Sequence, residues 1–545
     1  MAPSTHTVTN QPPPLVGHDV FTSDRALAEA VERHLAPELL PEAREELTAL
    51  GVATGSEQVR EWGERANANP PRLRTHDRYG HRIDEVEFDP AWHRLLGRSV
   101  GAGLTNAWGR PGGHVRRAAG FLVVSQAEAG HGCPLSMTHA AVPALRAEPE
   151  LAEVWEPAAL SSVYERELRP VAEKSGVLLG MAMTEKQGGS DVRTNTTEAR
   201  PLASDGEYVL TGHKWFCSAP MSDGFLVLAQ APEGLTCFLV PRVLADGSRN
   251  AFALQRLKDK LGNRSNASAE VEFDGTTWAR RVGEEGRGLR TVMGAVAATR
   301  LDCVLGSAAL MRQAVTRAVH HCAHRRAFGG LLVDKPLMRN VLADLALESE
   351  AATVLGMRLA AAYDAGTERE RALLRIAVPA AKYWVTKRCT PLVAEALECL
   401  GGNGYVEESG MPRLLRESPV NSVWEGSGNV QALDVVRALR TEPAALDALL
   451  REVGAARGAD HRLDRAIREL LGELADLDGV EARARRLAER LALVLQGALL
   501  VRWAPPEVAD AFCAARLGGD GGGAFGTLPH TLDLRSLVDR ARVEA

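Results

Sequence analysis

No cysteine pair in this 545-residue chain has the C-x-x-C spacing. Cys133, Cys217, Cys237, Cys303, Cys322, Cys389, Cys399 and Cys513 are scattered, which argues against a zinc knuckle or a disulfide framework and points to reduced thiols. No metal centre is indicated. A long apolar run is also missing. The richest stretch, Leu491 to Val501, is broken by Gln496 and ends at Arg502, whereas a bilayer span takes about 20 apolar residues. The N-terminal segment, with Pro3, Pro12, Pro13 and Pro14, lacks the apolar core of a signal peptide. A cytoplasmic protein with no membrane partner is therefore expected. A basic excess is absent too. The net charge is −6, which gives no whole-chain electrostatic case for nucleic acid or an anionic membrane. What remains is ordinary globular composition, 45% hydrophobic and 25% charged, in a chain too long for one core.

The texture changes along the chain. Residues from about 23 to 175 read mostly as helix, as in Asp24-Arg25-Ala26-Leu27-Ala28-Glu29-Ala30-Val31. In Ala140-Ala141-Val142-Pro143 the proline suits a first helical turn better than an interior. Between 176 and 280, short apolar runs alternate with turns: Tyr208–Leu210, Phe225–Ala229, Thr236–Val240 and Ala269–Phe273. That is the pattern of an antiparallel β-domain. Long helical segments return over Met293–Val319, Leu337–Ala365 and Leu373–Leu400, as in a bundle. Thr441-Glu442-Pro443 reads as a boundary before a further helical region rich in Arg, Leu and Ala. The tract Gly518–Gly523 reads as a loop. The expected domains are 1–175, 176–280, 281–440 and 441–545.

Several clusters could carry chemistry. Val423-Trp424-Glu425-Gly426-Ser427-Gly428-Asn429 sets one carboxylate between a bulky aromatic and a glycine turn. Poor solvation there should raise its pKa and make it a base; the alternative is a plain loop glutamate ahead of a capped helix. Met183-Thr184-Glu185-Lys186-Gln187-Gly188-Gly189-Ser190-Asp191 could let backbone approach a flat polar ring or a phosphate, or be a plain turn. His213-Lys214-Trp215-Phe216-Cys217-Ser218 reads as a strand whose aromatics pack the core or wall a planar cofactor. Arg325-Arg326-Ala327-Phe328-Gly329 is either a basic helix C-terminus or an arginine for a phosphate.

Taken in order with Lys260-Leu261-Gly262-Asn263-Arg264-Ser265 and Gly401-Gly402-Asn403-Gly404-Tyr405, these motifs resemble the acyl-CoA dehydrogenase family over roughly residues 95–440. Thr5–Pro12, Asn67–Pro71, Thr184–Val192, Lys258–Ser268 and the C-terminal extension resemble its AidB-type branch, flavoproteins linked to DNA alkylation damage. The resemblance implies an α+β, mainly α fold: a helical N-terminal domain, a middle β-domain, a helical bundle and an extra C-terminal helical domain. It also implies FAD, a homotetramer, and removal of the α-proton of an acyl-CoA thioester while the β-hydrogen leaves as hydride. Glu425 matches the family's base, and Arg300 an arginine near the active-site entrance, which could instead pair with Asp302. Thr184, flanked by Met183 and Ser190, matches the residue that bonds the isoalloxazine edge. Trp215 and Phe216 match residues packing on the ring. Ser427 and Asn429 match positions holding the adenosine diphosphate part. Arg325, Phe328, Gly401 and Gly402 match residues that reach a neighbouring subunit's FAD. Four positions depart from the pattern: Cys217 stands for a threonine facing the flavin, Trp424 for a tyrosine, and Glu398 and Pro336 for glutamines that bind the partner's adenosine end. These bear more on acyl-CoA turnover than on FAD binding.

The extension in this branch is associated with duplex DNA. Residues 441–545 carry 14 arginines against 17 acidic residues, a net of −3, which is not a basic domain in bulk. Arg462, Arg465 and Arg468 recur at helical spacing, and Arg483, Arg485, Arg486 and Arg490 crowd one segment. With Arg437 and Arg440 these could form a phosphate-binding face, or a solvated, salt-bridged helix. The expected function is an FAD protein of the alkylation response that binds duplex DNA and has weak, isovaleryl-CoA-like dehydrogenase activity. The alternatives are a metabolic short- or branched-chain acyl-CoA dehydrogenase without a DNA role, and a tetrameric scaffold that merely keeps its flavin.

Overall fold

The computed structural model describes residues 5–543, and the chain divides into two compact units. The first, Gln58–Asp302, holds a seven-stranded sheet. Along the sheet the strands run Leu179–Ala182, Gly224–Ala231, Glu198–Pro201, Glu207–Ser218, Ser268–Val282 and Gly234–Pro241, with Ala253–Leu257 paired to Ser268–Val282. Gly234–Pro241 also pairs with Gly224–Ala231, so the strands close on themselves. Pairing is antiparallel except where Gly224–Ala231 meets Leu179–Ala182 and Glu198–Pro201.

Helices cover one side of this sheet. Met137, Ala141 and Leu145 from Gly132–Leu145, Trp155, and Val292, Ala295 and Ala298 from the start of Gly288–His324 pack against Leu179, Leu226, Leu228 and Leu239 in one core. Pro143 lies inside a helix, contrary to the first-turn position expected of it. A proline there leaves the carbonyl four residues back, that of His139, without its helical donor. The Trp108 indole Nε1–H donates to that oxygen at 2.7 Å, which removes the main objection to the position.

A second departure is the hairpin Arg72–His76 with Arg82–Glu87, inside a region read as helical. Its local cause is the turn Asp77–Gly80. The Asp77 carboxylate accepts from the backbone N–H of Tyr79 and His81, and Gly80 takes φ +88°.

The β-domain is built around a buried charge pair. Glu185 and Lys214 are each fully buried, 2.7 Å apart. Glu185 also accepts from the backbone N–H and the hydroxyl of both Thr196 and Thr197, and Lys214 also donates to the Leu228 carbonyl at 2.7 Å. Burial alone would raise the Glu185 pKa, but the bonds from Lys214, Thr197 and Thr196 hold it well below the usual carboxylate range.

The second unit is helical. The long helices Pro336–Ala365 and Glu368–Glu398 pack on each other and on Val480–Trp503, and Glu368–Glu398 also packs on Gly428–Thr441. Most of the apolar stretch of Gly288–His324 is buried in protein, although by length and composition alone that helix could cross a membrane. Residues beyond Pro443 fold into this unit. Arg358 joins Glu370 and Glu452, each at 2.8 Å, and Arg540 joins Glu29 to Glu350 at 2.6 and 2.9 Å. All eight cysteines are free thiols, seven of them buried.

Replacing Glu185 with Gln leaves the Lys214 ammonium buried without its counter-charge, a change that costs about 3–5 kcal/mol at neutral pH. A carboxylate with a depressed folded-state pKa contributes stability above its unfolded value, about 4.3, and loses it as pH falls below that. Urea midpoints should therefore show a large deficit for E185Q at pH 7 that shrinks toward pH 3. A deficit equal at both pH values contradicts this.

Candidate active site

The residues singled out from the sequence fall into two sets, one on each unit. On Gln58–Asp302 the first set surrounds the loop Thr184–Ser190. The Trp215 backbone N–H donates to the Thr184 carbonyl at 2.8 Å, and the Asn195 amide to the Met183 carbonyl at 2.9 Å. Glu185, the centre of the buried pair, thus sits one residue from Thr184 and fixes its loop. Gly189 folds back over Thr184 so tightly that a Cβ there would meet the threonine Oγ1 at 2.4 Å. Only glycine permits that approach.

Trp215 is half-buried and Phe216 is 49% exposed, with the two rings edge to face at 6.4 Å. The Lys258 ammonium lies 3.1 Å from the Trp215 ring centroid while held by Glu270 at 2.6 Å. A cation over an indole face is attracted by the ring quadrupole. Ser190 is exposed. Cys217 is wholly buried, and burial pushes its thiol up to about 12, so it stays protonated. Arg300 is buried in Gly288–His324. Asp302, its possible partner by sequence, makes a two-bond pair with Arg117 at 2.6 and 2.8 Å. A half-exposed indole and an exposed phenyl, on a strand bonded through its backbone to Thr184, fit a flat, polar-edged ring such as the isoalloxazine of FAD.

The second set centres on Glu425. Its backbone is left-handed, φ +57°, and Gly426 follows at +97°. Two buried side chains take the carbonyls of this turn. Lys382 Nζ donates to Trp424 O at 2.9 Å and Gly426 O at 2.8 Å. Gln431 Nε2 donates to Glu425 O at 3.0 Å and Gly426 O at 2.9 Å. The Trp424 indole donates to Asn421 Oδ1 at 3.0 Å, and Asn421 reaches Ser307 Oγ at 3.2 Å. Glu425 itself is half-buried.

Ser427 is the N-cap residue of Gly428–Thr441 and makes no side-chain cap bond, and Asn429 is exposed. Both stand where the first turn of a helix presents its N–H groups. Gly401 and Gly402 are exposed in the short helix Gly401–Tyr405, and nothing lies within 4 Å of a Cβ built on either. Phe328, 92% exposed at φ +50°, tips a two-stranded hairpin. Asn10 holds that hairpin through Arg326 N–H and O at 2.7 and 2.9 Å, and Arg325 donates to the Asn10 carbonyl at 2.6 Å.

Of the arginines considered for DNA, Arg437, Arg440 and Arg486 are exposed and Arg483 is half-buried, and all four are engaged. Arg437 lies 3.8 Å from Asp434, and Arg440 3.7 Å from Glu481. Arg486 pairs with Glu473 at 3.1 Å, and Arg483 donates to the carbonyls of Glu473 and Asp476 at a helix end.

Sequence reasoning missed Lys382, Gln431, Asn421 and Asn10. The one signal for Lys382 was a lysine inside the apolar run Val378–Val385, a place that demands buried acceptors.

Comparison with known proteins identifies the family. Residues 10–166 match the family described as the adaptive response protein AidB N-terminal domain, 180–276 the acyl-CoA dehydrogenase middle domain, and 286–440 the acyl-CoA dehydrogenase C-terminal domain. The chain is 47% identical to AidB of Escherichia coli (strain K12) over 525 residues, 95% of each chain. It is 27% identical to the mitochondrial isovaleryl-CoA dehydrogenase of Oryza sativa subsp. japonica over 48% of this chain and 63% of that protein. Among solved structures, Caenorhabditis elegans ACDH-11 in complex with C11-CoA superposes with a TM-score of 0.85 at 26% identity, covering 94% of both chains. A chain with that coverage and those three domains belongs to the acyl-CoA dehydrogenase family, in its AidB-type branch, and is an FAD-dependent oxidoreductase acting on CH–CH groups.

Proposed function

We propose that Glu425 is the base that removes the α-proton of a small or branched acyl-CoA thioester, isovaleryl-CoA or one like it, and that activity on it is weak. The observation that carries this reading is the left-handed backbone at Glu425. A non-glycine residue in that region costs about 1–3 kcal/mol, and such strain gathers at functional positions. A glycine would relieve it, yet the position holds a carboxylate.

FAD, when bound, supplies the acceptor for the β-hydrogen, which leaves as hydride. The chain's own residues do the rest. Thr184 offers its hydroxyl to the ring edge, and Trp215 and Phe216 provide the surface the ring packs on. Met183 and Ser190 flank that edge. Cys217, wholly buried and protonated, offers no hydroxyl at the position where the family has a threonine, which favours slow turnover. Ser427 and Asn429, with Trp424 before them, hold the adenosine diphosphate end. Arg300 takes the place of the family's arginine near the active-site entrance. Arg325, Phe328, Gly401 and Gly402 serve the FAD of a neighbouring subunit in a homotetramer. Exposure supports this for Phe328, Gly401 and Gly402, since Phe328 in particular spends an aromatic ring on solvent.

We further propose a cytoplasmic role in the response to DNA alkylation, with duplex DNA as a partner. The likeness to AidB over almost the whole chain supports this. Arg437, Arg440, Arg483 and Arg486 are the contact residues. The exposed ion pair of Arg440 with Glu481 is worth about 0–1 kcal/mol, so a phosphate can replace that acidic partner, and the buried Asp434 beside Arg437 is also held by Arg375.

Two measurements test these readings. Glu425→Gln should keep bound FAD, with an unchanged visible spectrum, while anaerobic bleaching by isovaleryl-CoA slows by about 10²–10⁴-fold; bleaching at the unsubstituted rate rejects the base. Band shifts with duplex DNA should weaken steeply with salt and without sequence preference. Replacing all four arginines with alanine should flatten the log–log salt slope by about 3–4, and no binding at low salt rejects the DNA partner.

A further inference from the structure

On the assignment of Glu425 as the base, we infer that Lys382 is its positioning residue: a buried ammonium that holds the glutamate's turn left-handed through the carbonyls on either side of it.

Lys382 lies in the interior of Glu368–Glu398 and is 1% exposed. Burying an ammonium costs several kcal/mol unless strong acceptors meet it. Lys382 meets the carbonyl before Glu425 and the carbonyl after it, at 2.9 and 2.8 Å. Gln431, equally buried, takes the carbonyl of Glu425 itself. Three successive carbonyl oxygens therefore reach donors that sit close together. An extended strand alternates its carbonyls and cannot do this; the consecutive positive φ values at Glu425 and Gly426 achieve it.

Causation runs from donors to backbone. Three carbonyl dipoles brought toward one place repel one another, and a fixed positive charge offsets that repulsion more strongly than a neutral donor does. Gln431 alone leaves the Trp424 carbonyl unserved. Without the ammonium the turn loses its reason to be left-handed, and φ at residue 425 moves toward the ordinary negative region. Because φ sets the direction in which Cβ leaves the chain, the carboxylate then swings away. Lys382 thus acts on the reaction through the backbone. The surrounding bonds from Trp424 to Asn421 and from Asn421 to Ser307 hold the aromatic neighbour but leave the carbonyls of the turn to Lys382 and Gln431.

The test uses the FAD-loaded protein with Lys382→Met, which keeps the length of the side chain and removes its donors. Anaerobic flavin reduction by isovaleryl-CoA should show a limiting rate about 10²-fold lower, with an unchanged half-saturation concentration and an unchanged visible spectrum. Thermal unfolding supplies a readout independent of turnover. Glu425→Gly relieves left-handed strain only while the turn is held, so its effect on the melting temperature should be more favourable beside Lys382 than in the Lys382→Met background. Equal effects in both backgrounds, or an unchanged limiting rate in Lys382→Met, overturn the inference. Should Lys382→Met fail to fold, Lys382→Gln, which restores amide donors at shorter reach, is measured the same way: a lowered limiting rate with an unchanged spectrum supports the inference, and an unchanged limiting rate overturns it. Failure of the base assignment reads differently: Glu425→Gln then reduces at the unsubstituted rate, while the melting cycle still reports whether Lys382 holds the turn.

Discussion

Four hydrogen bonds from two buried side chains to the carbonyls of Trp424, Glu425 and Gly426 are the constraint on which the candidate site depends. An acidic side chain is useful as a base only if its carboxylate is held where the proton will be. Loops do not ordinarily hold side chains to that tolerance. Here the loop is held by the bundle: Lys382 is rooted in Glu368–Glu398 and Gln431 in Gly428–Thr441, and these two helices pack on each other. The stiffness of two helices is thereby passed to a turn of a few residues.

The β-domain solves an equivalent problem with charge. Glu185 is locked by Lys214 and by the donors of Thr196 and Thr197, and its neighbour Thr184 inherits that rigidity. Trp215 follows Lys214 in sequence and bonds Thr184 through its backbone. One buried ion pair thus registers both the ring-edge donor and the ring-packing surface. Replacing such a pair with apolar residues is often neutral for stability. Its value here lies in fixing which residues present themselves at the edge of the sheet.

Much of this was legible in the amino-acid sequence. The segments Met293–Val319, Leu337–Ala365 and Leu373–Leu400 show helical periodicity, and the helices are Gly288–His324, Pro336–Ala365 and Glu368–Glu398. The alternating runs between 176 and 280 are strands of one sheet. The failures have physical reasons. The hairpin at Arg72–Glu87 is short, rich in arginine and governed by an Asp77 turn, so it carries no strong apolar alternation. Pro143 is tolerated because a distant indole, Trp108, serves the carbonyl it orphans, and no local pattern reports that. At the site, Trp424, Glu425 and Gly426 stand out as chemistry. Lys382 and Gln431 do not, because what they serve is backbone 42 to 44 residues away for one and 5 to 6 for the other. The arginines of the extension were visible as a cluster, but the half-buried partner Glu473 of Arg486, and the pairing of Glu481 with Arg440, emerge only when the helices are packed.

The same packing joins residues beyond Pro443 to the bundle through Arg358 and Arg540. The helices that anchor Lys382 and Gln431 therefore lie in the same compact unit as the extension. The most direct measurement of the central claim is a crystal structure of the FAD-loaded protein with a non-reducible acyl-CoA thioester analogue. Residue 425 should keep its left-handed backbone, with its carboxylate oxygen about 3–3.5 Å from the α-carbon of the analogue. A Glu425 carboxylate turned away from the thioester, or a turn that has abandoned the Lys382 ammonium, would contradict it.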